Sequence, residues 1–582
     1  MNKHLGIFAA IVSVATALFF GLCYPYHLHH QEQMQLFLTT ADYAGSVILS
    51  APGGAMDYAG RFVTQFYYYA WPGAIVLGVL AAVAYVLGAR VLRRVGDGSV
   101  DALWPDLLAL PATAVGVAFV AGENSLVGGW LALMLTLGAL LLRPEATAGR
   151  LKSLLFDAAM LIVLYLLAGP VCALYALVSA LADVRRGQWL TALLLVLLPC
   201  LVAGVCVNLF PYPATKFFTG IHYCRVPEEK ASLLWLAVWV WTLAASASLF
   251  VRPLRLQAEP SLGVRAVAGL AGIVLSAGIV AANWHGRVEE TMMYDYMARQ
   301  GMWNRIMQAA DRRNPTNGIT STALNLALAQ SNRMSNHLFD YAQHGADGLL
   351  PDFMRDAFSP LVTSEVYYHL GFVNTAQRFT FEAQEAIPDF QKSARCYRRL
   401  AQTNLINGSY AVARKYLEAL THTIYYSAWA RETMLLLGND SAIARHPEYG
   451  RLRELRHTTD FIYSDRDMEA MLGRQVLAHP TFRLAFDYLM SYALLSRHIE
   501  VVPQYIALSQ QLGYVQLPRV YAEALMLSWS KTHRPTDPLP PYLSQAQMTR
   551  INDFYRLAQA HDDARLRQQF GQTYWYYYFY CK

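Results

Sequence analysis

Runs of apolar residues, separated by more polar segments of uneven length, occupy the first half of the chain at positions 5–24, 72–91, 104–121, 126–142, 154–168, 170–182, 189–210, 233–251 and 264–284. At about 1.5 Å of rise per residue, the longer runs suffice to cross roughly 30 Å of hydrocarbon as helices. The pattern predicts a polytopic bundle of about nine transmembrane helices. The runs at 154–168 and 170–182 are separated only by Gly169-Pro170, which would either kink one helix or divide two. Beyond Trp284 charged, aromatic and amide residues recur at helical spacing with no convincing strand alternation, so residues 285–582 read as a soluble helical domain behind a membrane domain at 1–284. The expected fold class is all-α.

Basic residues alternate in density between successive loops. Lys3, Arg90, Arg93, Arg94, Arg143, Arg150, Lys152, Arg185, Arg186, Arg252, Arg255 and Arg265 fall in one set, whereas the other holds only Arg61, Lys216, Arg225 and Lys230. By the positive-inside rule the N-terminus is cytoplasmic and the loop 27–71 lies outside. An odd number of crossings puts the C-terminal domain outside as well. Treating 154–168 and 170–182 as one helix would misplace the later basic loops, so the charge pattern favours two.

Only 15% of the 582 residues are charged and the formal charge is +6, with no dense basic block interleaved with aromatics. Nucleic acid is therefore excluded as the expected partner. The seven cysteines include no Cys-x-x-Cys, which points to neither a zinc site nor a disulfide framework. The first apolar run is long for a signal peptide and lacks a good cleavage site or lipobox, so it reads as a retained helix.

In the C-terminal half, SEVYYHLGFVNTAQRFTFEAQEAIP places Tyr367, Gly371, Ala376, Ala383 and Pro388 at offsets partly repeated by Ala401, Gly408, Ala413, Leu417 and Leu420 in CYRRLAQTNLINGSYAVARKYLEAL. Small alanines let paired helices approach closely. Looser pairs lie near 303–329 and 485–508. The region resembles a tetratricopeptide-type α-solenoid, and the resemblance implies peptide or protein binding on the concave face. A purely supporting role is the alternative. The closing YWYYYFY, from Tyr574 to Tyr580, reads as packing across the last helices or as an interfacial aromatic belt, with sugar stacking as a sharper alternative.

Acids at a membrane face are costly unless solvated, paired or used. The first loop offers Glu32, Asp42 and Asp57, the short turn 122–125 offers Glu123, and the loop 211–232 holds Lys216, His222, Arg225 and Lys230. Glu32 just after the first span and Glu123 between the third and fourth resemble the layout of the GT-C membrane glycosyltransferases. That resemblance implies a polyprenyl-phosphate sugar donor, with Glu32, Glu123 or Asp42 as the catalytic carboxylate. The chain departs from the pattern in having no adjacent acidic pair in the first loop. A carboxylate at the water boundary would take or hold the acceptor's proton. Lys216, Arg225 and Arg61 would bind the departing phosphate. A solvated residue opening an amphipathic helix is the plainer reading of Glu32. The sequence identifies no cofactor, and a divalent cation would be compatible with this chemistry. However, the spacing of His27, His29 and His30 does not converge all three on one point with Glu32.

The stretches EQMQLFLTTADY, APGGAMDYAGRFVTQFYYY and GQTYWYYYFY resemble an uncharacterised multipass family common in Bacteroidales, in which a membrane half precedes a repeat half. The resemblance implies the inner membrane of a Gram-negative cell with a periplasmic repeat domain, and carries no activity. Three functions follow as expectations: an outer-face glycosyltransferase acting among membrane lipids, a non-enzymatic scaffold holding periplasmic proteins, and, third, a transporter. The last is disfavoured because the spans hold few polar residues beyond Asp106 and Asp157.

Overall fold

The computed structural model describes residues 3–96, 103–144, 149–226, 231–250, 261–351, 354–388, 391–458, 464, 466–534 and 536–581. Lys230 and the basic-loop residues Arg252 and Arg255 lie outside them. Among the described residues the fold is helical, with one isolated bridge, Ser125 to Cys224. The chain forms two compact units. The first comprises 1–289, 387–395 and 418–431, and the second 290–386, 396–417 and 432–582.

In the first unit the helices are α1 (Lys3–Leu18), α2 (Pro25–Gln33), α3 (Ala41–Ile48), α4 (Gly54–Gln65), α5 (Ala70–Val95), α6 (Leu103–Val120), α7 (Val127–Leu140), α8 (Arg150–Ala168), α9 (Ala173–Arg185), α10 (Trp189–Cys206), α11 (Ala214–Thr219), α12 (Ser232–Phe250) and α13 (Leu262–Ala282), followed by the start of α14 (Gly286–Arg299). Among the described residues, seven helical stretches are long and apolar enough to cross a membrane, and α7 is apolar but shorter. The first loop, in which the sequence suggests one amphipathic helix at Glu32, holds three α-helices, α2, α3 and α4.

One of the seven stretches, 150–185, is bent back on itself. Asp157 in α8 and Asp183 in α9 both bond the guanidinium of Arg143, at 2.9 and 2.7 Å, and Tyr175 donates to Asp157 at 2.7 Å. On one straight helix the two aspartates would stand roughly 39 Å apart. α8 and α9 are therefore antiparallel, and the chain reverses at Gly169, whose φ of +76° suits glycine. Arg93, from α5, meets Asp106 of α6 at 2.5 Å, so both span-end acids noted in the sequence are ion-paired.

The Gly169 reversal gathers the other set of loops. The Tyr223 hydroxyl donates to Ala168 O (2.6 Å) and accepts from Val171 N (3.2 Å), Gly53 N donates to Leu166 O (2.9 Å), and Leu126 N donates to Tyr223 O (2.9 Å). Gly53, at φ +92°, is the part of the Pro-Gly-Gly break that needs a left-handed backbone. α8 thus has the arginine pairs near one end and the first loop, the 122–125 turn and the 211–225 loop at the other. Small residues on α5 admit close neighbours: a Cβ on Gly78 would lie 2.5 Å from Ser13 O of α1.

The second unit has its own core, from Tyr294 to Tyr577. It contains antiparallel helix pairs joined by tight turns: α15 (Trp303–Arg312) with α16 (Gly318–Gln330), and, beyond the short α17 (Met334–His337), α18 (Ser359–His369) with α19 (Val373–Ala386). Gly371 and Gly408 have positive φ, and Ala376, Ala383, Ala401 and Ala413 are wholly buried. The aromatic tail forms a helix, Tyr574–Tyr580, capped by Thr573. Tyr574, Trp575 and Tyr577 are buried, with Trp575 Nε1 donating to Glu523 O at 2.8 Å. Much of the tail therefore packs as core of this unit, while Phe579 and Tyr580 stay exposed.

Candidate functional site

The polar residues of the first unit concentrate where α2 meets the 122–125 turn and the 211–225 loop. Pro25 opens α2, where its missing N–H costs no helical hydrogen bond. The next two donors, Tyr26 N and His27 N, reach the Glu289 carboxylate at 2.8 and 2.9 Å. A carboxylate at a helix N-terminus satisfies orphan amides and meets the positive end of the dipole. Burial nevertheless pushes Glu289 up to about 7, against the two amide bonds that pull it down. His27 is buried as well, and burial drives it down to about 4. Its Nε2 lies 3.2 Å from Val120 O, and because a carbonyl can only accept, the neutral ring donates from Nε2.

One turn further, Gln31 bridges two loops. Its Nε2 donates to Glu123 O at 2.6 Å, and its Oε1 accepts from Arg225 Nη2 at 2.8 Å. Arg225 Nη1 lies 3.4 Å from His30 Nε2, and Arg225 N donates to Asn124 O. Arg225 is only 2% exposed, and burial lowers it to about 10 while Glu123 draws it back up, so it is a cation at neutral pH. The Glu123 residue itself is exposed.

Glu32, the next residue, faces elsewhere. It is 2% exposed, and its Oε2 accepts from the hydroxyl of Tyr426 at 2.9 Å. The same stretch is tied down repeatedly. Ser393 Oγ donates to Gln33 O, Leu36 N to Lys392 O, and Thr39 N and Oγ1 both to His422 O, while the Tyr68 ring stacks on Tyr425 at 4.7 Å. The segments 387–395 and 418–431 thus clamp the first loop.

Arg61 is committed within that loop. It forms a two-pronged bond to Asp57 one turn earlier on α4, at 3.1 and 2.7 Å, and donates to Tyr43 at 3.2 Å. Tyr43 in turn donates to Leu36 O. Burial works against the Arg61 charge, but Asp57 and Tyr43 more than offset it. His222 Nδ1 lies 3.9 Å from Asp57.

Of the six residues singled out from sequence, Glu123 and Arg225 come together through Gln31. Glu32 lies beside them on α2 with its carboxylate on Tyr426, and Arg61 is paired with Asp57. Asp42 is exposed in the first turn of α3, and Lys216 is half-buried on α11; neither side chain makes a hydrogen bond or ion pair among the described residues. His27 and His30 face Val120 and Arg225 respectively, and no group of three or more His, Cys, Asp or Glu is arranged to hold a metal among the described residues. Sequence reasoning missed Gln31, Tyr426 and Glu289. Of these only Glu289 had a signal, as one of the first acids past the last apolar run.

A groove of about 370 Å³ runs between α1, α6 and α13, lined by residues such as Val12, Phe19, Val117, Ile273 and Trp284. Its lining reaches Cys23 and Val117, within a helical turn of Tyr24 and Val120.

These features define an all-helical multipass membrane protein whose first loop is built into a buried polar cluster. Residues 1–581 match the family of unknown function DUF6057, and the chain belongs to that family. No curated protein and no solved structure matches it.

Proposed function

We propose that this chain is a non-enzymatic, membrane-anchored helical scaffold. In this reading the arginine-paired end of the bundle is cytoplasmic and the first loop and the second unit lie in the periplasm of a Gram-negative cell, with about nine crossings and tetratricopeptide-like helix pairs holding a protein partner. The observation that carries it is the bond from Tyr426 to Glu32. A catalytic carboxylate must reach its substrate, whereas this one is buried and spent on holding a distant segment of the chain. Val515 (95% exposed) and Leu435 (79%) of the second unit stand open to solvent, so a side chain placed at either can reach a bound partner. Photo-crosslinking in living membranes from these two positions tests the proposal. Discrete adducts that survive Glu32→Gln support it, and the absence of adducts from both positions counts against it.

A second reading is an outer-face glycosyltransferase using a polyprenyl-phosphate sugar. It is favoured by the exposed Glu123 beside the buried Arg225 cation, close to where an apolar groove of suitable size for a lipid chain ends. Sugar transfer abolished in Glu123→Ala membranes at unchanged protein level would establish it. Full transfer in that variant would remove it.

A further inference from the structure

We propose that the second unit carries a binding site for a small hydroxylated oxyanion, of the sugar-phosphate or uronate class, in a cleft of about 460 Å³ beside the turn that joins α16 to α17. Its lining includes Arg312, Arg313, Arg333, Tyr341, Asn314 and Gln572. The volume lies in the range of small-molecule sites, roughly 300–1,000 Å³.

The charges of the cleft do not cancel. Its two acids already have partners: Asp340 meets Arg519 at 2.5 Å and His337 at 2.7 Å, and Asp311 accepts from the Tyr341 hydroxyl at 2.8 Å. Arg313 has a long contact to Glu290, at 3.8 Å, and is itself 64% exposed. Arg312 and Arg333 make no side-chain hydrogen bond or ion pair among the described residues, so two guanidinium forks face the cleft without a matching anion. Such forks bind carboxylate or phosphate through paired N–H donors. Arg333 is held in place by its backbone. Asn332, immediately before it, adopts a left-handed φ of +55°, and Arg333 N closes the turn onto Leu328 O at 2.7 Å.

The rest of the lining suits the body of such a ligand. Asn314 spends its carbonyl oxygen on Ala342 N, which leaves its amide donors, and Gln572 supplies a second exposed amide for hydroxyl groups. The Tyr341 ring, fixed by its hydroxyl, gives a flat apolar face for a sugar ring. This site does not depend on the scaffold reading or on the first loop.

Calorimetric titration of the purified full-length protein in detergent at low salt tests it, with a glucose phosphate, glucuronate, inorganic phosphate and neutral glucose as probes. Saturable binding of the glucose phosphate identifies a phosphate ligand and that of glucuronate a carboxylate ligand, and either supports the proposal. Affinity is expected to fall with added salt, and by about tenfold or more in Arg312→Gln/Arg333→Gln. Both arginines are exposed, so unfolding is not expected, and Arg556→Gln, at a surface ion pair, serves as the control. Failure of both anionic sugars to bind would overturn the site. So would affinity unchanged in the double variant, or neutral glucose binding equally well.

Discussion

The hydroxyl of Tyr426 donates to the carboxylate of Glu32 across 394 positions of sequence, at 2.9 Å and out of contact with water. A hydrogen bond to a buried acid is worth more than one at the surface, because removing the donor leaves the acceptor desolvated. Tyr426→Phe is therefore expected to destabilise the first unit by about 1–3 kcal/mol. Limited proteolysis is the direct check, with faster cutting within 418–431 as the expected outcome. A cleavage rate equal to that of the unaltered protein would show that the bond does not hold the segment.

Arg143 bridges two aspartates, Asp157 and Asp183, which are 1% and 7% exposed at their side chains, and Arg186 lies 4.0 Å from the second. Arg143→Met leaves Asp157 with no cation among the described residues and Asp183 with only the long contact to Arg186, and breaking a buried pair by removing one partner costs about 3–5 kcal/mol. Thermal unfolding in detergent should show the loss, and adding Asp157→Asn with Asp183→Asn should recover part of it. If the triple variant is no more stable than Arg143→Met alone, the ion pairs are not what closes the α8–α9 hairpin.

The membrane helices were legible because long apolar runs admit few other structures. The hairpin was legible too, because Gly169-Pro170 interrupts the run and the basic residues alternate correctly only if the chain reverses there. The first loop displays its acids in the sequence but not their partners. Gln31 has no charge to draw notice, and Tyr426, Ser393 and Lys392 form their hydrogen bonds to this loop from hundreds of positions away. The Asp57 to Arg61 pair, by contrast, stands one helical turn apart, and that spacing could have shown that Arg61 was already taken.

Gly88 of α5 lies against Trp241 of α12, where an added Cβ would sit 1.8 Å from the indole ring. Gly88→Ala must displace the tryptophan, and overpacking of this kind costs about 1–3 kcal/mol. A lower melting temperature in detergent is expected, with partial recovery in Gly88→Ala/Trp241→Phe. Equal stability of Gly88→Ala and the unaltered protein would mean that these helices do not pack as described.

Glu289 and His27 meet at the N-terminus of α2, and their titrations oppose each other. Glu289 has its folded value raised from 4.5 to about 7, so between those values the folded state holds the extra proton. Its contribution is fully present below 4.5 and is lost as the pH rises through 7. His27 has its folded value lowered from 6.5 to about 4, so between those values the unfolded chain holds the extra proton and stability falls as the solution is acidified. The two slopes have opposite sign and overlap between 4.5 and 6.5, where they cancel in large part. Glu289→Gln should remove the first slope and expose a steeper loss on acidification. His27→Gln, which keeps a side-chain N–H for Val120 O, should instead expose a loss as the pH rises towards 7. Melting temperatures of the three proteins across this window separate the two effects. Parallel profiles would show that neither group titrates in the folded state as its burial requires.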